Sequence, residues 1–171
     1  MPRIPKKASD YDARKVVDHG DYDPVRIGDS KIIKTSAGAD MVMWTLTITE
    51  DGPFKDENLF MRHGLEVFKK EKDRSGSDVY VTDKDGKNVV DEKKSEKAIG
   101  FLKRFYMTAM GIPLTEEERV PDDWATEDCH GRNVAVTVTI KEYQGIPGNE
   151  ITSVRISEHN ENGGGGRRRR K

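Results

Sequence analysis

The clearest pattern along the chain is strict alternation. Over residues 41–49, Val42, Trp44, Leu46 and Ile48 share one face, and Met43, Thr45, Thr47 and Thr49 share the other. A period of two marks a half-buried strand. Residues 133–143 repeat it, with Val134, Val136, Val138 and Ile140 inward and Thr137, Thr139, Lys141 and Tyr143 outward. Residues 150–157 form the returning partner across a connection at 144–149, with Val154 and Ile156 inward. Val25, Ile27 and Ile33 mark an earlier, longer strand. Gly28 inside that run predicts a bulge or sharp bend. Residues 58–63 make a further short strand.

Between residues 93 and 110 the period becomes helical. Ala98, Phe101, Leu102, Phe105, Tyr106 and Ala109 form an apolar stripe, and Gly111 followed by Pro113 is a stop signal. Residues 66–92 read as an insertion. Its first part, 66–73, is charged and helix-leaning; its second is a hairpin from 79–82 to 88–90 around the turn 83–87. Three strands, an inserted hairpin, one helix and two strands predict a mainly β protein with one principal helix. The fold class that matches is a five-stranded OB-like Greek-key barrel with an inserted β-hairpin. Barrel closure would also remove exposed sheet edges. The expected organisation is an N-terminal arm at 1–19, the OB-like domain at 20–158 and a disordered Gly/Arg tail at 159–171.

Charge sharpens this picture. The chain has 30 Lys+Arg against 31 Asp+Glu, a net charge of −1. Five of the cations are consecutive, Arg167, Arg168, Arg169, Arg170 and Lys171, behind four glycines at 163–166. Without them the balance is 25 against 31, so the body stands at −6. Adjacent cations repel one another and build no core, so this segment is expected to seek a polyanion. Phosphate neutralisation releases counterions and drives binding without sequence preference.

Other chemistries are weaker. Cys129-His130 does not make a zinc site, because His19, His63 and His159 lack paired spacing. Cys129 reads instead as a small buried side chain at the start of a strand. Glu116, Glu117, Glu118, Asp122 and Asp123 could hold Mg²⁺, but they share one proline-punctuated loop. The chain therefore reads as non-enzymatic, with no cofactor. The single cysteine excludes an internal disulfide. No run approaches the ~20 apolar residues that span a bilayer, and no signal peptide is evident. A soluble cytoplasmic protein with no membrane partner is expected.

The run Asp128-Cys129-His130-Gly131-Arg132-Asn133-Val134-Ala135-Val136, with Glu142-Tyr143-Gln144-Gly145 and Asn149, resembles the C-terminal half of a family of uncharacterised phage proteins. That family is regarded as single-stranded-DNA-binding-like and lies beside replication or recombination genes. Gly20-Asp21-Tyr22, Ser36-Ala37-Gly38 and the helix from Ala98 to Gly111 are similar to its other segments. The resemblance implies a phage-type single-stranded-DNA-binding protein in the host cytoplasm, with phage replication or recombination proteins as further partners. It leaves homo-oligomerisation open.

An OB-fold binds single strands on the face of its second and third strands, beside the loops joining strands one–two and four–five. Affinity comes from phosphate neutralisation and from base stacking on outward aromatics. Phe60 with Arg62, and Lys141 with Tyr143, are the aromatic–cation pairs; Arg26, Lys34 and Arg155 are the further phosphate contacts. Trp44, in phase with Leu46 and Ile48, belongs to the core. The competing reading is an OB-like protein-interaction module docking on a phage or host protein, which the acidic body favours.

Overall fold

The computed structural model describes residues 16–160. Five long strands form one antiparallel sheet: β1 (Gly20–Lys34), β2 (Asp40–Ile48), β3 (Asn58–Gly64), β6 (Asn133–Tyr143) and β7 (Ile146–Ile156). Two short strands, β4 (Lys70–Lys72) and β5 (Asp78–Tyr80), pair separately, and one α-helix, α1 (Glu92–Ala109), precedes β6. The sheet order is β3-β2-β1-β6-β7. Its edges, β3 and β7, approach one another, but no ladder joins them among the described residues. The expected closed barrel is thus, in its ladders, an open five-stranded sheet.

The alternation of the sequence becomes the two faces of this sheet. Val25, Ile27, Val42, Trp44, Leu46, Ile48, Leu59, Val134, Val136 and Val138 are buried on the inner face. Helix α1 covers them with Leu102, Phe105, Tyr106, Met107 and Ala109. Trp44 and Phe105 meet with ring centroids 4.6 Å apart. Asp91 caps α1 by accepting a hydrogen bond from the Lys94 N–H at 3.1 Å.

Gly28 does mark a bulge: the β1–β2 register shifts between Ile27 and Ser30. A Cβ there would lie 3.1 Å from the Thr45 carbonyl oxygen, so the strands approach this closely only with glycine. The hairpin of β6 and β7 turns on Gln144 and Gly145, with φ of 52° and 77°. This two-residue turn is shorter than the expected connection at 144–149. Ile140, expected inward, is 45% exposed. Pairing of β6 with β1 ends at Val138, so the rest of the hairpin extends beyond β1 and nothing covers Ile140.

Other expectations change more. Residues 66–73 are not helical: Phe68 bridges Val90, and β4 pairs with β5. The turn at 83–87 holds, with the Asp83 carboxylate accepting from the Asp85 and Lys87 N–H groups. Phe101, assigned to the helix stripe, is 50% exposed at the flank of that stripe, whose centre, Ser95, Leu102, Phe105 and Ala109, is buried. Packing against the sheet also reaches residues before β1. Val17 is fully buried, and the Asn149 side chain accepts from its N–H at 2.8 Å and donates to its C=O at 2.7 Å. Asn160 grips Asn133 in the same reciprocal way.

Candidate nucleic-acid interface

Paired residues in an antiparallel ladder project from the same side of the sheet. The register therefore fixes which polar side chains share the outer face of β1, β2 and β3. One row contains Asn58, Thr47, Arg26 and Asn133. The next pairs Phe60 with Thr45. A third contains Arg62, Met43 and Lys31. Within it, Arg62 and Lys31 lie two strands apart, about 10 Å. Phe60 is half-buried on this face, between the rows that carry Arg26 and Arg62.

Lys31 is not among the residues that the sequence singles out; Lys34 is. The bulge at Gly28 explains the exchange. One extra residue reverses the phase of the strand, so Lys34 pairs with Asp40 on the side of Val42 and Trp44, opposite to Arg26. Lys31, paired with Met43, comes onto the side of Arg26. The glycine is the signal that could have found it.

The cations also differ in their partners. Lys34 Nζ lies 2.6 Å from Asp40, which raises the lysine pKa through that hydrogen bond. Lys141 is ion-paired with Glu150. Arg155 reaches Asp21 at 3.3 Å and the Thr137 hydroxyl at 3.2 Å. Asp21 is held below the usual carboxylate range by the hydrogen bond from Thr137, then by that from Arg155. Arg26, Lys31 and Arg62 make no ion pair among the described residues. Asp29, exposed in the β1 bulge, is the carboxylate adjoining them along β1.

Two clefts follow the seam between β3 and β7. One of about 510 Å³ is lined by Phe60, Arg62 and Glu150. Another of about 310 Å³ joins Asn58 and Phe60 to Pro147 and Gly148. Lys141 pairs with Gly148, so the seam brings the β6–β7 hairpin beside Phe60. Tyr143 stands at the tip of that hairpin, 77% exposed. Arg155 is not part of this grouping: it lies seven residues beyond Gly148 on β7, roughly 20 Å away. Arg167, Arg168, Arg169, Arg170 and Lys171 lie outside the described residues.

Trp44 is no stacking platform. It is 1% exposed, and its indole N–H donates to His63 Nδ1 at 3.0 Å. Burial pushes the His63 pKa down to about 4, so the imidazole is neutral at pH 7. Cys129 is fully buried, and burial pushes its thiol up to about 12. The neighbouring His130 ring hydrogen-bonds Ser30 at 2.8 Å. No helix among the described residues is long and apolar enough to cross a membrane. No family model matches the chain, and no curated protein matches it.

Proposed function

We propose that the chain is a non-enzymatic single-stranded-DNA-binding protein of phage type, built on an OB-like barrel and serving DNA replication or recombination. The observation that carries this reading is the face of Arg26, Lys31 and Arg62, three cations that flank Phe60 and make no ion pair among the described residues. Stacking on an aromatic and neutralising phosphates are the two sources of affinity for a single strand. Strand order supports the barrel. β6-β1-β2-β3 follows a Greek key, in which a fourth strand returns beside the first. The near approach of the β3 and β7 edges matches a partly open barrel.

The strand would run over β2 and β3, with its bases on Phe60 and its phosphates on the three cations. The hairpin carrying Lys141 and Tyr143 borders one side. The terminal arginines supply a tethered contact to any polyanion, raising affinity without selecting single strands. The phage assignment rests on the sequence resemblance alone. Anisotropy of a labelled oligo(dT), with duplex DNA as competitor, tests the reading. The expected result is salt-sensitive binding that prefers the single strand. No binding at low salt, or equal affinity for duplex, overturns it. A partner protein retained after nuclease treatment, with no oligonucleotide binding, favours the docking module instead.

A further inference from the structure

The geometry points to a docking site on α1 for an acidic peptide segment carrying apolar side chains. Phe101 and Leu114 are 50% and 57% exposed, and both line a cleft of about 460 Å³ that also contains Met107. A second cleft, of about 370 Å³, shares Phe101, Arg104 and Leu114 and continues to Ile151 and Val154 on β7. Two large apolar side chains exposed in one concavity are a recognition feature, unlike single exposed residues on a flat surface.

The surroundings choose the occupant. Lys97 and Arg104 border the first cleft and make no ion pair among the described residues. Lys103 beside them is held by Glu117 at 2.5 Å. A positive rim on a body of charge −6 selects a negative partner. A nucleobase would meet a flat ring; here the ring shares a concavity with Leu114 and Met107, which suits an aliphatic or aromatic side chain. The exposed parts of Phe101 and Leu114 offer on the order of 200 Å². That is well below the ~800 Å² that each folded chain typically contributes to a stable interface. A short peptide fits this size and a second copy does not. The site is independent of the DNA-binding reading.

The probe is a fluorescein-labelled synthetic peptide in which aspartates flank a Phe-Leu pair, titrated at low salt with the full chain. Binding is expected, weakened about tenfold by Phe101→Ala or Leu114→Ala and about threefold by Arg104→Ala. Replacing the Phe-Leu pair of the peptide by serines should abolish it. Thermal denaturation should show that the variants fold, since both apolar residues are half exposed. The oligo(dT) affinity of Phe101→Ala should equal that of the parent. Absence of peptide binding overturns the proposal, as does unchanged affinity in both Phe101→Ala and Leu114→Ala. So does a Phe101→Ala variant that loses oligo(dT) and keeps the peptide, or a parent dimer that this variant dissociates in sedimentation.

Discussion

On the outer face, the two halves of the five-stranded sheet hold their cations differently, Lys34 with its partner Asp40 lying on the other side. On β6 and β7, Lys141 and Arg155 each meet a carboxylate, Glu150 and Asp21. On β1, β2 and β3, Arg26, Lys31 and Arg62 meet none among the described residues. A count of these outer-face cations alone gives three against two. What differs is availability: a phosphate reaching Arg155 must displace Asp21, whereas Arg62 has no ion-pair partner to displace among the described residues. On an acidic body, a polyanion is proposed to lie on the half whose outer-face cations make no ion pair among the described residues.

The largest expected effect lies beneath that half. His63 is buried on β3, accepting from Trp44, and its pKa is lowered to about 4 in the folded state against about 6.5 unfolded. The unfolded chain therefore binds the proton first as pH falls. Stability from this group is complete above pH 6.5 and is lost progressively between about 6.5 and 4, by up to about 3 kcal/mol. Chemical denaturation at pH 7 and pH 4.5 should show this loss. His63→Gln should show a smaller one, although its stability at pH 7 will fall if the Trp44 bond is weakened. An unchanged pH dependence in the variant would mean that other groups titrate.

Removing the unpaired cations comes next. Arg26→Ala, Lys31→Ala and Arg62→Ala together should weaken oligo(dT) binding by at least ~30-fold at low salt and make the slope of log K against log salt shallower by about 2. The double change Lys141→Ala with Arg155→Ala should cost less than about threefold. Equal losses in the two sets would erase the distinction between the halves. Phe60→Ala follows, at about tenfold, within the range for one stacked base. Its loss should be nearly independent of salt, because stacking releases no counterions; a salt-dependent loss would show that Phe60 merely positions the cations.

Much of this arrangement is legible in the sequence. Alternation in 41–49 and 133–143 predicts β2 and most of β6 with their inner residues, because a period of two has one reading when one face is apolar. The bulge at Gly28 is legible too, but its consequence depends on counting phase across it: β1 reverses, so Lys31 replaces Lys34 on the face. Phe101 fits the helical stripe, but periodicity cannot show how wide a stripe the sheet covers, and Phe101 lies at its exposed flank. Residues 66–73 carry no apolar period, and local charge suggests a helix. The bridge of Phe68 to Val90, a non-local pairing, decides otherwise. The partners of Lys141 and Arg155 are also invisible in the sequence, since Glu150 and Asp21 reach them only through the registry of the folded strands.

The smallest expected effect is the sharpest test of availability, because it adds no cation. Asp21→Asn and Glu150→Gln keep the shapes of both side chains but remove their charge. The amide oxygen that Asp21→Asn leaves in place can still accept from Thr137, so the local bonding of β1 to β6 survives. Arg155 and Lys141 would then, like Arg26 and Arg62, make no ion pair among the described residues. Lys141 lies beside the seam that reaches Phe60, whereas Arg155 lies far along β7. Glu150→Gln should therefore tighten oligo(dT) binding about twofold and steepen the salt slope by up to ~0.7, the contribution of one phosphate contact. Asp21→Asn should do neither unless the strand crosses the whole sheet. Titration of each variant over a salt series separates these outcomes. If neither change moves the slope, the bound strand does not reach the paired half, and position rather than ion pairing keeps those cations silent.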